Sequence, residues 1–159
     1  MGERAVSASA DDVLVSVGLG SCIGLVLVDR ARGIAGLAHV MLPVAPAGEH
    51  DKPGKFADTA VPALIGELVE LGARRVRLEA TLVGGAQMFS FGGGSMDIGA
   101  RNDAATRAGL AAVRVPLVAA ATGGVKGRTV RLRVGTGAVT VKEAGAAEIE
   151  LLSSAPGRR

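Results

Sequence analysis

The apolar positions fall into short β-branched runs separated by glycine-rich turns, with one clear helical repeat among them. Residues 13–17 are apolar and β-branched and read as a strand. Residues 22–28 and 34–42 read as two more, joined by the polar turn Asp29-Arg30-Ala31-Arg32. Residues 44–55, rich in Pro, Gly and charge, read as a loop. Val61, Leu64, Ile65 and Leu68 then follow the i, i+3, i+4, i+7 spacing of a buried helix face. Asp58 is the expected N-cap, which would place Pro62 in the tolerant first turn, and Gly72 is the expected stop. Residues 76–83 read as a strand, and a second helix is expected from an N-cap at Asn102 to about Val113. Strands at 115–121, 129–134, 139–142 and 149–152 follow, with a hairpin turn at Gly135-Thr136-Gly137.

This alternation predicts the α/β class: a compact single-domain sandwich of mixed or antiparallel β-sheets with helices packed outside. The length, 159 residues, suits one domain over residues 1–159. Residues 1–10 and 153–159 are expected to fray. Aromatic residues are only 2% of the chain, so the core must be built from Val, Leu, Ile and Ala.

Charge narrows the function classes. The net charge of +3 is spread out, with Arg74, Arg75 and Arg77 in one place and Arg128, Arg131 and Arg133 in another. Nucleic-acid binders combine a dense basic stripe with stacking aromatics, and neither is present, so these arginines read as solvated faces. A single cysteine excludes an internal disulfide and fits a reducing compartment. The first residues have no apolar signal core, and no apolar run is long enough to span a bilayer, so a cytoplasmic protein is expected, without membrane insertion.

Chemistry concentrates in Gly18-Leu19-Gly20-Ser21-Cys22-Ile23-Gly24. If the hairpin closes on the loop 29–32, Val28 pairs with Gly33 and Cys22 lies directly opposite His39 on one face. The small neighbours Gly24 and Ala35 would leave space above that face, while Ile23, Leu25, Leu27, Ile34 and Val40 form a core layer on the other. A one-residue slip would separate the pair. A thiol beside an imidazole can exist partly as thiolate–imidazolium and act as a nucleophile. The same imidazole can return a proton to a leaving amine, as release of ammonia from a carboxamide requires. The Gly18–Gly20 turn could present backbone N–H groups to an oxyanion. A lone Cys among apolar residues is equally a small core side chain, and a lone His near a strand end is usually a hydrogen-bonded structural group, so the residues alone leave both readings open.

These segments resemble the chemoreceptor glutamine deamidases, the CheD family. The resemblance runs through Val15-Ser16-Val17-Gly18-Leu19-Gly20-Ser21-Cys22 and Ala38-His39-Val40-Met41-Leu42-Pro43. It continues in Lys52-Pro53-Gly54-Lys55-Phe56-Ala57-Asp58, Gly84-Gly85-Ala86-Gln87-Met88-Phe89, Ile98-Gly99-Ala100-Arg101-Asn102 and Thr122-Gly123-Gly124. It implies Cys22 as nucleophile, His39 as base and Ser16 as the third catalytic member, where the family commonly has threonine. It further implies a sandwich fold similar to bacterial toxin deamidase domains and hydrolysis of receptor glutamines to glutamates, with methyl-ester hydrolysis in some members. The implied partners are the cytoplasmic domain of a methyl-accepting chemoreceptor and a CheC-type chemotaxis phosphatase. No metal or organic cofactor is required. Gly20, Ser21, Gly84, Gly85 and Asn102 are weaker candidates for substrate or oxyanion contacts.

Other readings fare less well. Gly18, Gly20 and Gly24 lack dinucleotide-fingerprint spacing because Ile23 stands at the third glycine position, and a hairpin rather than a helix follows. Cys22, His39, His50 and Asp51 lack metal-ligand spacing. Gly84-Gly85 most simply marks a turn, and Arg101 and Asn102 equally read as a helix start with its cap. The main alternative is a weakly catalytic or non-catalytic binding module that regulates a CheC-type phosphatase.

Overall fold

A computed structural model describes residues 2–47, 52–87 and 97–153. Among these, two helices and nine strands form two sheets. The strands are β1 (Arg4–Ser7), β2 (Val13–Leu19), β3 (Ile23–Asp29), β4 (Ile34–Val40), β5 (Glu79–Gly84), β6 (Leu117–Thr122), β7 (Arg128–Arg133), β8 (Val139–Glu143) and β9 (Glu148–Leu152). The helices are α1 (Ala57–Leu71) and α2 (Ile98–Ala112). One sheet runs β1-β4-β3-β5-β6, mixed because β5 and β6 are parallel across α2; the other is antiparallel, β2-β7-β8-β9.

Strand β3 is buried at every position, as its unbroken apolar run requires of a strand covered on both faces. One face puts Ile23, Leu25, Leu27, Ile34, Ala38 and Val40 against Val61, Leu64, Leu68 and Leu110 of the helices. This is the core layer expected from alternation. The other face puts Val26, Val28, Ala35 and Leu37 against Leu19, Val130, Leu132, Val139 and Val141 of the second sheet. The expected open space above Gly24 is therefore absent: a Cβ on Gly24 would lie 2.9 Å from Leu19 Cδ1 and 3.3 Å from Val130 Cγ1.

The β3–β4 register differs from the sequence count. Gly24, not Cys22, stands opposite His39, and the loop is Arg30–Gly33. Asp29 is not a solvated turn residue but a fully buried strand end, accepting from Arg74 N at 2.7 Å and Arg32 N at 3.2 Å. Gly33, at φ +66°, closes the turn in a conformation that favours glycine. The shift is two residues, and because side chains alternate with period two, Cys22 keeps the same face as His39.

Several element boundaries also move. The N-terminal segment is not frayed, since β1 pairs with β4 from Arg4↔Ala38 to Ser7↔Ala35. Helix α1 begins after Phe56, so Asp58 lies in the first turn and accepts from Ala45 N at 2.9 Å instead of capping. Pro62 consequently falls in the second turn, where it gives no N–H to the ladder. Gly72 does end the helix, at φ +117°. Residues 75–77 form a 3₁₀ turn before β5, leaving Val76 exposed. Helix α2 starts four residues before Asn102, with Asp97 Oδ1 accepting from Ala100 N at 2.9 Å.

Candidate functional site

Cys22 follows the β2–β3 connection, immediately before β3. Strand β2 points Leu14 and Ser16 inward; a bulge between Ser16 and Leu19, with Gly18 at φ +66°, then shifts the alternation so that Leu19 is also inward. The chain crosses from the second sheet into the first at this point. Cys22 is half-buried and packs against the edge of the inter-sheet core. His39, which follows Ala35 and Leu37 at two-residue steps, projects between the same sheets. Continuing the register one residue before Ile23 would put it one diagonal step from Cys22, a spacing of roughly 7–8 Å between backbones.

Ser16, buried on β2, places its Oγ 3.3 Å from His39 Nδ1. The imidazole is thus contacted by the second sheet, and its backbone N–H donates to the Glu3 carbonyl at 3.0 Å. The family resemblance implies Ser16 as a partner of the histidine, but nothing in the sequence announces the N-terminal strand that fixes β4 from the outer edge. Arg4 of that strand anchors it to α1 through Glu67 at 2.6 Å. A cavity of about 280 Å³ opens beside the ring, lined by residues 3–5, by Val13 to Ser16 and by Leu37 and His39. Cys22 stands outside that lining.

Burial pushes the Cys22 thiol up from its ordinary value and the His39 imidazolium down, with the Glu3 carboxylate opposing burial at the ring. Both shifts favour the neutral form of each group. A neutral ring nitrogen is the form that can accept a proton.

The weaker sequence candidates cluster around the backbone of the Gly20–Cys22 segment. The Gly20 carbonyl accepts from Ala86 N and the Cys22 carbonyl from Gly85 N, each at 2.8 Å. Between them the Ser21 carbonyl accepts from Asn102 Nδ2 at 2.9 Å. Gly84 packs so tightly that a Cβ on it would lie 2.2 Å from the Cys22 carbonyl oxygen, and its φ of +115° independently disfavours any other residue. Gly84 and Gly85 are thus a close backbone approach that holds the Cys22 strand, not a plain turn. Asn102 is fully buried in mid-helix and is not a helix cap. Its second hydrogen bond, also 2.9 Å, goes to the Met41 carbonyl just beyond β4.

Arg128 was hidden from sequence reasoning among the other arginines. It is buried, and its Nη1 donates to the carbonyls of Gly84 at 3.2 Å and Gly123 at 2.8 Å. It braces the glycine approach from the second sheet, next to the Thr122-Gly123-Gly124 turn, where Gly124 O accepts from Gln87 N. Met88, Phe89, His50 and Asp51 lie outside the described residues. Among the described residues no group of three or more His, Cys, Asp or Glu is placed to hold a metal ion, and no helix is long and apolar enough to cross a membrane.

Comparison with known proteins bears on this arrangement. The family model for CheD chemotactic sensory transduction matches residues 41–143. The chain belongs to the CheD family. It is 46% identical over 155 residues to the probable chemoreceptor glutamine deamidase CheD of Symbiobacterium thermophilum, covering 95% of this chain and 94% of that protein. It is 43% identical over 148 residues to the chemoreceptor glutamine deamidase CheD of Thermotoga maritima, covering 93% and 92%. A third relative, the probable chemoreceptor glutamine deamidase CheD of Methanococcus vannielii, is 43% identical over 143 residues, covering 90% and 92%. The family-model match begins two residues after His39 and so does not include Cys22, His39 or Ser16, whereas the alignments with the relatives cover nearly the whole chain.

Proposed function

We propose that this CheD protein is a cysteine hydrolase that converts glutamine side chains of chemoreceptors to glutamate, with Cys22 as nucleophile, His39 as proton carrier and Ser16 as the group that orients His39. The observation that carries the reading is the Ser16 Oγ–His39 Nδ1 contact of 3.3 Å on the sheet face that also bears Cys22. The names of the relatives supply the substrate class.

The contact is compatible with either tautomer, and the role assigned to His39 selects one. For His39 to act as a base, Nδ1–H must donate to Ser16 Oγ, leaving Nε2 unprotonated. The thiol proton passes to Nε2 as Sγ attacks the carboxamide carbon, so the ion pair forms with the bond rather than before it. The carbonyl electron pair moves onto oxygen, and backbone N–H groups at Ser21 and Cys22 are assigned as its stabilisers in this reading. Collapse of this intermediate expels the nitrogen as ammonia, which takes its proton from His39. Water then gives a proton to His39 and attacks the thioester, releasing glutamate and the free thiol. Every step is proton transfer or acyl transfer, and no cofactor enters the balance.

The reading places the protein in the cytoplasm, acting as one domain on the cytoplasmic part of a methyl-accepting receptor, and gives it a CheC-type phosphatase as a binding partner. The test is incubation with a receptor cytoplasmic fragment, followed by peptide mass spectrometry for Gln-to-Glu conversion. Wild type is expected to convert specific glutamines, and Cys22→Ala to convert none while keeping its partner binding. Equal conversion by both proteins rules the proposal out; no conversion by either, with phosphatase binding intact, favours a regulatory module.

A further inference from the structure

Asn102 carries chemistry that its place in the middle of α2 conceals. Its side chain is fully buried, and Nδ2 spends both protons on carbonyls of two different segments, Ser21 O and Met41 O. One of these precedes Cys22 and the other lies two residues after His39. Its Oδ1 is buried without a partner among the described residues, a cost that a merely structural side chain would ordinarily avoid.

The consequence follows from peptide planarity. In a trans peptide the N–H points opposite to the C=O of the same unit. The carbonyl of Ser21 and the N–H of Cys22 belong to one unit, so fixing the first fixes the second. Because Ser21 O is drawn toward α2, on the helix side of the first sheet, Cys22 N–H is turned away from α2, toward the inter-sheet side where Cys22 packs. The Gly20 carbonyl, held by Ala86 N, fixes the Ser21 N–H in the same manner. Among the described residues no acceptor takes the N–H of Ser21 or Cys22. Two successive backbone N–H groups without protein acceptors can together bind an anion when they face the same side.

We infer that Asn102 is a positioning residue that locks the Ser21–Cys22 peptide so that Cys22 N–H, together with Ser21 N–H, binds the oxyanion formed when Cys22 is acylated. The inference rests on the nucleophile reading above. It replaces a direct substrate contact at Asn102, which its complete burial rules out.

Two reactions of the same thiol separate this role from general structural support. Alkylation by iodoacetamide is a displacement at saturated carbon and develops no oxyanion. Acetylation by p-nitrophenyl acetate passes through one: the acetyl carbon bonds to Sγ, nitrophenolate leaves, and the thiol proton goes to His39. Both are followed by mass spectrometry on the Cys22 peptide, with Cys22→Ala as blank. Asn102→Asp keeps the shape and loses at least one of the two donor protons. It is expected to slow acetylation about tenfold, below the 10²–10³ loss seen when an oxyanion donor is removed outright, while leaving alkylation unchanged. Equal acetylation, or equal loss of both reactions, overturns the inference. A second measurement needs no variant. In the wild type, a glutamine-analogue aldehyde bound to Cys22 as a hemithioacetal should move the Cys22 amide proton resonance downfield, and an unmoved resonance overturns the inference. Neither readout uses receptor turnover, so a failure of receptor deamidation is scored separately.

Discussion

At His39 the two ring nitrogens need different surroundings, and one buried hydroxyl meets the need of the first. Ser16 can accept from Nδ1–H but offers no charge, so it orients the ring without strongly stabilising imidazolium. Removing one such hydrogen bond is worth about 1 kcal/mol, or roughly fivefold in rate. Ser16→Ala is therefore expected to lower kcat about fivefold with little change in KM, measured on a receptor fragment. Ser16→Thr, which restores the residue common in the family and restricts χ1, should retain or exceed wild-type kcat. Burial also links His39 to stability. Its folded pKa is depressed, so between the folded value and the unfolded value of about 6.5 the unfolded chain binds more protons and stability falls on acidification. His39→Asn should flatten the loss of Tm between pH 7.5 and pH 5, and an unchanged pH dependence would contradict a buried neutral ring. Cys22 and His39 are readable from the residues only as a possible pair, with core and structural readings left open, and Ser16 enters through the family resemblance. Asn102 reads only as a weak contact or a helix start, and Arg128 only as one of the solvated arginines, because a polar side chain in a helix or strand looks the same in sequence whether it meets water or a buried carbonyl.

The elements that hold the site differ in how clearly the sequence announces them. The apolar run of β3 and the 3.6-residue repeat in α1 are long enough to be read directly. Strand β1 has four residues, too few for a pattern, although it closes the sheet edge beside His39. The buried face of α2 consists of Gly99, Asn102, Thr106 and Leu110, which lacks the apolar stripe that marks a buried helix; its start was therefore misplaced. The hairpin count failed at Asp29, because a carboxylate satisfied by two backbone N–H groups can end a strand in the interior. The glycine approach yields a sharp expectation. Gly84→Ala forces a Cβ into the Cys22 carbonyl and leaves alanine at φ +115°. The backbone conformation alone costs about 1–2 kcal/mol. Urea unfolding should show at least that loss, and deamidation should fall further because Cys22 must shift.

In the whole molecule, the site is assembled from three layers: Ser16 from the second sheet, Cys22 and His39 from the first, and Asn102 from the helices. The sequence specified a sandwich with helices outside. It could not say which face of the first hairpin the second sheet would cover, since both faces of β3 are apolar. A site divided among layers should not outlast their packing. Loss of deamidase activity in urea is expected to coincide with loss of the circular dichroism signal, and activity vanishing well before unfolding would show a separately yielding site. Truncating Leu132, fully buried between the sheets, to Ala should cost about 2–5 kcal/mol and shift both transitions together. The central claim, acyl transfer to the Cys22 sulfur, has one most direct measurement: rapid acid quench of enzyme mixed with receptor fragment, followed by mass analysis of the Cys22 peptide. A transient thioester between Cys22 and the receptor glutamyl side chain is predicted to appear before free glutamate and to decay as glutamate accumulates. Glutamate formation with no adduct, sustained in Cys22→Ala, would contradict the account.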